Sequence, residues 1–448
     1  MSRALRIATA SACLALAVAS WFFTWDDTSE HGFGVFGGYR DRWFLFNLFV
    51  TWLAGIAVLV LVIKPRRPVW LRLVSVHLGF IFALAALELP ALVGAIDYRD
   101  LFPRARRYYQ GEGKSIPGLR TVMPANMKQS GMLSGDLVPI LGAPAKPVEY
   151  TFQTDSRGLR NASEKNDPSI LLLGDSILVA GLLPIEQIVS ERLERELGVE
   201  VLNVSASGDS LQEELLRLRS LDLDLDGRLV VQFIFEGNDQ SDSAEWRAWL
   251  SHQDASEYPD SGIVKTVLAM LHAPRRSAGR RRSGVYTTAD GLGERVYFLN
   301  DAARIDSHRA EFPVIADALR EARRDLDGQG ARYALVFVPA KLTVLGPQMT
   351  WDEDSALSDT RLQRSLFRDD MRQFAEREEL PYLDTTEALQ AAARQGVLPY
   401  FCDDTHLNGA GHGLVARTLA PWLRQLLDSR PKSSSDAWPS SAGTGAQN

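Results

Sequence analysis

The sequence is poor in cysteine and has no excess of positive charge. Only two cysteines occur among 448 residues, Cys13 and Cys402, and they lie far apart in the chain. Two such residues support neither a disulfide-stapled fold nor a cysteine-based zinc site, so we predict no metal and no cofactor. The net charge is -7, whereas a protein that follows phosphate backbones needs a basic face. We therefore expect no nucleic-acid partner.

Long apolar runs are missing from most of the chain and are concentrated before residue 97. Three such stretches occur, at about residues 7–25, at residues 43–63, and from residue 69 to between residues 87 and 96. The second stretch is uncharged and long enough to cross about 30 Å of hydrocarbon. The sequence therefore predicts a membrane anchor of about three transmembrane helices in residues 1–96, with the lipid bilayer as a partner.

The charges between these stretches predict the orientation of the anchor. Lys64, Arg66 and Arg67 lie between the second and third stretches, and short loops rich in Lys and Arg stay in the cytoplasm. The third stretch then returns the chain to the other side, so we expect the C-terminal part outside the cytoplasm. An alternative interpretation of the first stretch is a cleaved signal peptide that ends near Ala19, and cleavage would leave this orientation unchanged.

Short apolar runs alternate with helical patterns from residue 150 onward. Five runs have the continuous apolar character of buried parallel strands: residues 169–173, 199–204, 229–235, 333–338 and 381–383. Repeated β–α units of this kind predict an α/β fold with a doubly wound parallel sheet of five strands. The other predicted regions are a linker or wrapping segment (97–149), an insertion and candidate lid (240–300) within the 150–428 domain, and a disordered tail (429–448).

Residues suited to catalysis follow the predicted strands. Ser176 ends a Gly-Asp-Ser tripeptide after the first strand, Gly208 follows the second strand, and Asn238 follows the third. A serine at a strand-to-helix turn exposes its hydroxyl at the carboxyl edge of the sheet, where helix amides can bind an oxyanion. The tripeptide alone is weak evidence, because it recurs at Ser210. Its position and the later residues single out Ser176.

A fourth block, Asp403-Asp404-Thr405-His406, precedes the last predicted helix. The four blocks together resemble the SGNH (GDSL-like) hydrolase family over residues 150–428, and this resemblance implies a flavodoxin-like order of strands. It also implies that Ser176 is the nucleophile and that His406 is its general base. Asp403 has the D-x-x-H spacing of this family and is the preferred third member. Asp404 has the D-x-H spacing of related polysaccharide O-acetylation proteins and remains the alternative.

The same resemblance implies an oxyanion hole. Its donors would be the backbone amides of Ser176 and Gly208 and the side-chain amide of Asn238. One departure from the family pattern occurs here, because Glu236 occupies the place of a glycine two residues before the asparagine. A G-x-S-x-G elbow is absent around Ser176, which argues against an α/β-hydrolase.

The resemblance and the anchor together predict a function. We expect a serine esterase in a bacterial inner membrane, multi-pass, with its catalytic domain on the periplasmic side. Its substrate would be an acylated carbohydrate, an extracytoplasmic glycan with O-acyl groups, acetyl by preference. Two alternatives stay open. One is an O-acetyltransferase of an exopolysaccharide assembly complex, which would need a membrane partner that supplies acyl groups. The other is a non-catalytic scaffold for glycan assembly with the same fold.

Overall fold

The computed structural model divides into two compact units, residues 1–107 with 252–273 and residues 108–251 with 274–448. The residues that the structure describes are 3–23, 35–36, 39–58, 67–96, 98, 116, 118–250, 262–263, 282–299, 304–353, 355, 357–358 and 365–429. The predicted tail lies outside them, apart from residue 429.

In the part of the first unit that the structure describes, one helix lies in each apolar stretch. These helices are α1 (Arg3–Phe23), α2 (Asp41–Val58) and α3 (Arg67–Leu92), and a short antiparallel pair precedes α2, formed by β1 (Val35–Phe36) and β2 (Tyr39–Arg40). The indole nitrogen of Trp21 donates to the Thr51 hydroxyl at 2.8 Å, which joins α1 to α2. Each apolar stretch therefore contains a helix.

Only one helix among the described residues is long and apolar enough to cross a membrane. That window is Ser75–Leu92 in α3, while the apolar parts of the other two helices, Ile7–Trp21 and Asn47–Ile56, are shorter. The structure thus supports one candidate span where the sequence predicted about three. Length and composition alone identify this span.

The second unit is an α/β structure. Its strands are β3 (Lys128–Leu133), β4 (Val148–Gln153), β5 (Ile170–Leu173), β6 (Val201–Asn203), β7 (Leu229–Phe235), β8 (Ser283–Thr287), β9 (Gly293–Tyr297), β10 (Arg332–Val338), β11 (Met349–Trp351) and β12 (Tyr382–Asp384). Its α-helices are α4 (Leu137–Leu141), α5 (Ser176–Val179), α6 (Val189–Leu197), α7 (Leu211–Ser220), α8 (Asp239–Leu250), α9 (Arg304–Gly328), α10 (Lys341–Leu345), α11 (Leu366–Arg377), α12 (Thr386–Arg394) and α13 (Gly409–Asp428). Two 3-10 turns cover Ile185–Gln187 and Gly346–Gln348.

The central sheet confirms the predicted parallel sheet of five strands. Its order is β6-β5-β7-β10-β12, and every neighbouring pair is parallel. Counted along the chain, this order is 2-1-3-4-5, as in a flavodoxin-like doubly wound sheet. The order reverses around β5, and ligands bind such sheets in the crevice beyond the carboxyl ends at that point.

Each face of the sheet is covered by its own hydrophobic core. Alternate residues of β5 face opposite sides, because side chains alternate along a strand. Ile170 and Leu172 belong to the core shared with α6, α12 and α13, whereas Leu171 and Leu173 belong to the core shared with α7, α9 and α11. All four residues are fully buried. This double burial explains why the strand is a continuous apolar run.

The sequence spaces apolar residues as in one helix from Ile185 onward, but the structure divides this segment. Residues Ile185–Gln187 form a 3-10 turn, and the α-helix starts only at Val189. Ile188 between them is extended (φ -73°, ψ 158°), because its buried side chain packs with Ala180 and Leu183. In the predicted insertion, α8 continues from β7, while the β8–β9 hairpin pairs with β11 in a three-stranded antiparallel sheet. Residues 251–261 and 264–281 of the predicted lid lie outside the described residues.

The compact unit begins well before the predicted boundary at residue 150. Strands β3 and β4 pair antiparallel over six residues each. Arg160, which follows this hairpin, is fully buried and donates to the carbonyls of Val179, Ala180 and Leu183. Its guanidinium also lies 4.7 Å from the ring centre of Phe152. The segment upstream of β5 thereby braces the turn that follows helix α5.

Candidate active site

Ser176 lies at the reversal point of the sheet, directly after β5. It is the first residue of α5, and the Asp175 side chain caps this helix by accepting from the Ile177 amide at 3.0 Å. The chain turns tightly here, because a Cβ on Gly174 would lie 2.8 Å from a methyl group of Leu178. The Ser176 hydroxyl is consequently partly exposed at the carboxyl edge.

His406 joins this serine to a carboxylate. Its Nε2 lies 2.8 Å from the Ser176 Oγ, and its Nδ1 lies 2.5 Å from Oδ1 of Asp404. The imidazole is about a quarter exposed, with 24% of its side-chain area accessible, whereas the carboxylate of Asp404 is buried. The three groups form a continuous series of hydrogen bonds, with the distances that proton transfer from a serine to a histidine requires.

The partner of the imidazole is Asp404, which corrects the preference for Asp403 that the D-x-x-H spacing gave. The physical reason is a local turn. Oδ1 of Asp404 also accepts from the backbone N–H of His406 at 2.8 Å. An aspartate that binds the backbone N–H two residues ahead forms an Asx turn. This turn places the Asp404 carboxylate against the ring of His406.

Asp403 holds a different part of the chain. Its Oδ2 accepts from the backbone amides of Gly135 (3.3 Å) and Lys146 (3.0 Å), both in the segment upstream of β4. The backbones approach closely there, because a Cβ on Gly135 would lie 2.0 Å from the carbonyl oxygen of Asp403. Asp403 therefore fastens the loop that carries His406 to the segment that precedes the predicted domain.

The electrostatics of the site favour a protonated imidazole. Burial works to lower the pKa of His406, but the Asp404 carboxylate, helped by Asp136 and Asp175, raises that pKa to about 9. Burial works to raise the pKa of Asp404, but the charge and hydrogen bonds of His406 outweigh it and hold that pKa below its ordinary value. Asp404 and His406 are thus joined by a strong charge-assisted hydrogen bond that is partly shielded from water.

Two further residues contact this loop. Lys341, at the start of α10, is buried and its Nζ donates to the carbonyls of Asp404 (2.9 Å) and Cys402 (3.1 Å). Burial lowers the pKa of Lys341 to about 8. Asp136 accepts from the backbone N–H of Thr405 at 2.9 Å. Lys341 ends a Pro-Ala-Lys run that indicates no role by itself, and nothing in the sequence around Asp136 indicates a functional residue.

The predicted oxyanion donors differ in whether their N–H groups already have acceptors. Gly208 has a positive φ of 77°, a backbone conformation that glycine adopts readily. Among the described residues, the backbone N–H groups of Ser176 and Gly208 have no acceptor. Asn238 differs, because its Nδ2 donates to Oδ2 of Asp175 (3.0 Å) and to Oδ2 of Asp242 (2.6 Å). Its amide lies beside the nucleophile turn but must leave one carboxylate before it can bind an oxyanion.

The departure at Glu236 has a structural explanation. Its partly buried carboxylate accepts from the backbone N–H of Ala340 at 2.7 Å and from the Thr343 hydroxyl at 2.9 Å. Burial raises the pKa of Glu236. The side chain thus binds the first turn of α10, and so supports the helix on which Lys341 lies.

The second Gly-Asp-Ser serine and the second nearby histidine have structural roles. Ser210 is buried and caps α7 in a capping box with Glu213. His412 is fully buried, and its Nδ1 accepts from the Val189 amide at 3.2 Å. Burial, together with Arg160 and Arg192, lowers the pKa of His412 to about 3. Neither residue is suited to proton transfer at neutral pH.

One group of side chains among the described residues has the composition of a cation site. Asp136, Asp404 and His406 offer ligand atoms that lie within 4.8 Å of one another. These atoms are already engaged, since Nδ1 of His406 shares a proton with Asp404 and Asp136 binds Thr405. A cation at this position would compete with the hydrogen bond that orients the imidazole toward Ser176.

Part of the chain is similar to an SGNH-like domain. Residues 297–440 match the family model described as "SGNH hydrolase-like domain, acetyltransferase AlgX", a match that includes His406 and begins after Ser176. No curated protein matches the chain. Similar solved structures include TesA, which is 17% identical over 57% of this chain and 98% of its own length, with a TM-score of 0.32. A second is a putative lipolytic G-D-S-L protein from Desulfitobacterium hafniense DCB-2, which is 11% identical over 56% of this chain and 97% of its own length, with a TM-score of 0.31. A third is the psychrotrophic esterase EstA from Pseudoalteromonas sp., which is 12% identical over 59% of this chain and 100% of its own length, with a TM-score of 0.29.

The two neighbouring aspartates give a sharp test of the geometry. We expect Asp404→Asn to lower kcat for an activated ester by about 10⁴-fold, because the amide removes the charge and allows the wrong imidazole tautomer. Asp403→Asn keeps an oxygen that can accept from the amides of Gly135 and Lys146, so this variant should lose far less of its kcat. Steady-state kinetics of both variants, with thermal unfolding as a control for folding, make the comparison. Equal losses would contradict the assignment of Asp404.

Proposed function

Because the chain contains an SGNH hydrolase-like domain, we propose that it is a serine-dependent acyl-transferring enzyme with Ser176 as the nucleophile. The observation that carries this proposal is the hydrogen-bonded series from Asp404 through His406 to Ser176. Each member has the neighbour that its role requires. A scaffold without catalysis would have no need to align these three groups at such distances.

The proposed chemistry follows from the positions of these three side chains. His406 accepts the proton of the Ser176 hydroxyl through Nε2 while Oγ attacks the carbonyl carbon of an ester. The negative Asp404 carboxylate stabilises the imidazolium that forms. The backbone N–H groups of Ser176 and Gly208 are available to bind the oxyanion. When the tetrahedral intermediate collapses, His406 returns the proton to the departing alcohol oxygen, and the acyl group remains on Ser176.

The proposed substrate class is an O-acylated glycan, with acetyl as the preferred acyl group. The family description, which names an acetyltransferase, supports acetyl as the acyl group, and the resemblance of Asp404-Thr405-His406 to polysaccharide O-acetylation proteins supports the glycan. Hydrolysis and transfer share the acyl-enzyme and differ only in whether water or a sugar hydroxyl receives the acyl group. Transfer is the second candidate function, because the family description names an acetyltransferase. A transferase would need a membrane partner that supplies acyl groups.

Ser176 and Ser210 provide a matched pair for testing the nucleophile. We expect a fluorophosphonate probe to label the full chain in detergent and to label Ser210→Ala, but not Ser176→Ala. Ser210→Ala removes a helix cap and should cost only about 1 kcal/mol of folding stability. Hydrolysis of an activated acetyl ester by Ser176→Ala should fall on the order of 10⁶-fold in kcat. Absence of labelling in the folded wild type would favour the non-catalytic scaffold.

Product analysis separates the two reactions. The full chain is incubated with an O-acetylated oligosaccharide, with and without an unacetylated acceptor sugar, and both acetate and the acetylated acceptor are measured. For an esterase we expect free acetate in both mixtures and no acetylated acceptor. Acetylated acceptor that depends on Ser176 would instead establish the transferase. Activated acetyl esters serve as the control that each preparation is active.

We also propose that the first unit anchors the protein in a bacterial inner membrane, with the second unit on the periplasmic side. Large apolar side chains on its helices are exposed, such as Leu16 (68%), Val76 (68%) and Phe82 (79%). Exposed apolar area on this scale is typical of surfaces that contact lipid or protein. The basic cluster at residues 64–67 supports the proposed orientation through the positive-inside rule.

Reporter fusions test this orientation. A reporter that is active only in the periplasm should be active when it is fused after residue 428 and silent when it is fused after residue 66. A reporter that works only in the cytoplasm should give the opposite result. An active cytoplasmic reporter at residue 428 would overturn the proposed location.

A further inference from the structure

A carboxylate from outside the predicted domain lies against the loop that carries the base. Asp136 precedes helix α4, far upstream in the sequence of the residues that it contacts. Its carboxylate accepts from both the backbone N–H and the hydroxyl of Thr405. Its own backbone N–H donates to Oδ2 of Asp404 at 2.9 Å. Asp136 therefore binds the two residues that directly precede His406.

The same carboxylate faces the imidazole. Oδ2 of Asp136 lies 3.9 Å from Nδ1 of His406, the nitrogen that is 2.5 Å from Asp404. Two carboxylates thus share one side of the ring, one in hydrogen-bond contact and one at the distance of an ion pair. Only 18% of the Asp136 side chain is exposed. Water therefore screens its charge only partly.

We propose that Asp136 is a positioning residue for the base: it fixes the Asp404–Thr405 peptide and supplies a second negative charge beside His406. This inference rests on the proposed serine chemistry. Asp136 touches neither the serine nor, in this proposal, the substrate. It acts by orienting the carboxylate and the imidazole, and by stabilising the imidazolium that forms when Ser176 gives up its proton.

The other charged groups around the ring do not replace it. Asp175 faces the ring from the nucleophile turn and also supports its positive charge. Lys341 binds the loop through the carbonyls of Cys402 and Asp404, and Asp403 binds the amides of the upstream segment. Among these groups and Asp404, only Asp136 combines a bond to the Asp404 side chain with bonds to the Thr405 backbone and hydroxyl. Burial and the nearby Asp404 raise the pKa of Asp136 to about 6, so it is ionised above that pH.

The test compares Asp136→Asn with Glu149→Gln in the full chain in detergent. Both changes convert a carboxylate to an amide in the upstream segment, but Glu149 is exposed on β4. Asn at position 136 keeps the shape and one acceptor oxygen, so the loop should remain folded. The pKa of His406 is followed by NMR of isotope-labelled histidine, and His406→Gln identifies its signal among the seven histidines.

We expect the pKa of His406 to fall from about 9 in Asp136→Asn and to remain unchanged in Glu149→Gln. The acid limb of kcat/KM, which requires a neutral imidazole, should move to lower pH by the same amount. At a pH well above both limbs, kcat of Asp136→Asn should still be reduced while KM stays constant, because the imidazolium loses a stabilising charge. Asp136→Ala, which also releases Thr405, should lose up to about a hundredfold in kcat through misplacement of the base.

An unchanged His406 titration in a folded Asp136→Asn would overturn the proposal, even if activity were lost. The NMR titration does not depend on turnover. A wild type that neither reacts with the fluorophosphonate nor hydrolyses esters would therefore count against the proposed function, whereas the titration would still decide whether Asp136 acts on the imidazole.

Discussion

The hydrogen bond between Asp404 and His406 is the constraint on which the rest of the site depends. A serine hydroxyl at a strand end becomes a nucleophile only when a base is held at its oxygen. The sheet places Ser176, but the base comes from a loop with no regular secondary structure. An Asx turn, a buried lysine and the upstream segment together restrain that loop, and each contact acts on the few residues before His406.

This design uses several negative groups to control one ring. Asp404, Asp136 and Asp175 all favour the imidazolium, and together they outweigh the burial that opposes it. A more basic imidazole takes the serine proton more readily, but less of it is neutral at pH 7, so the two effects oppose each other. The partial exposure of the ring limits the imbalance, because water screens the more distant charges. The carboxylates around His406 therefore favour the protonated form of its imidazole over the neutral form.

The sequence predicted the sheet because buried strands depend on local patterns, and the choice of Ser176 as nucleophile, drawn from the same patterns, stays a prediction. Strands buried on two faces are continuous apolar runs, and β5 is one of them. Ser176, Gly208 and Asn238 follow such runs, so their shared edge could be inferred from parallel topology. The choice between Asp403 and Asp404 could not be made, because spacing does not reveal an Asx turn. The role of Asp136 could not be predicted, because a contact between residues 269 positions apart leaves no local pattern in the sequence.

The exposure of the site bears on which acceptor completes the reaction. Ser176 is partly exposed and a quarter of the His406 side chain is accessible, so in the proposed mechanism water can reach the acyl group on Ser176 as well as a sugar hydroxyl can. Water is always present, whereas a sugar must first be bound. Transfer therefore requires that the protein hold an acceptor close to the acyl carbon, since proximity is what lets one hydroxyl compete with the solvent. The triad alone sets no preference, and any preference for transfer must come from residues that bind the acceptor or cover the edge of the sheet.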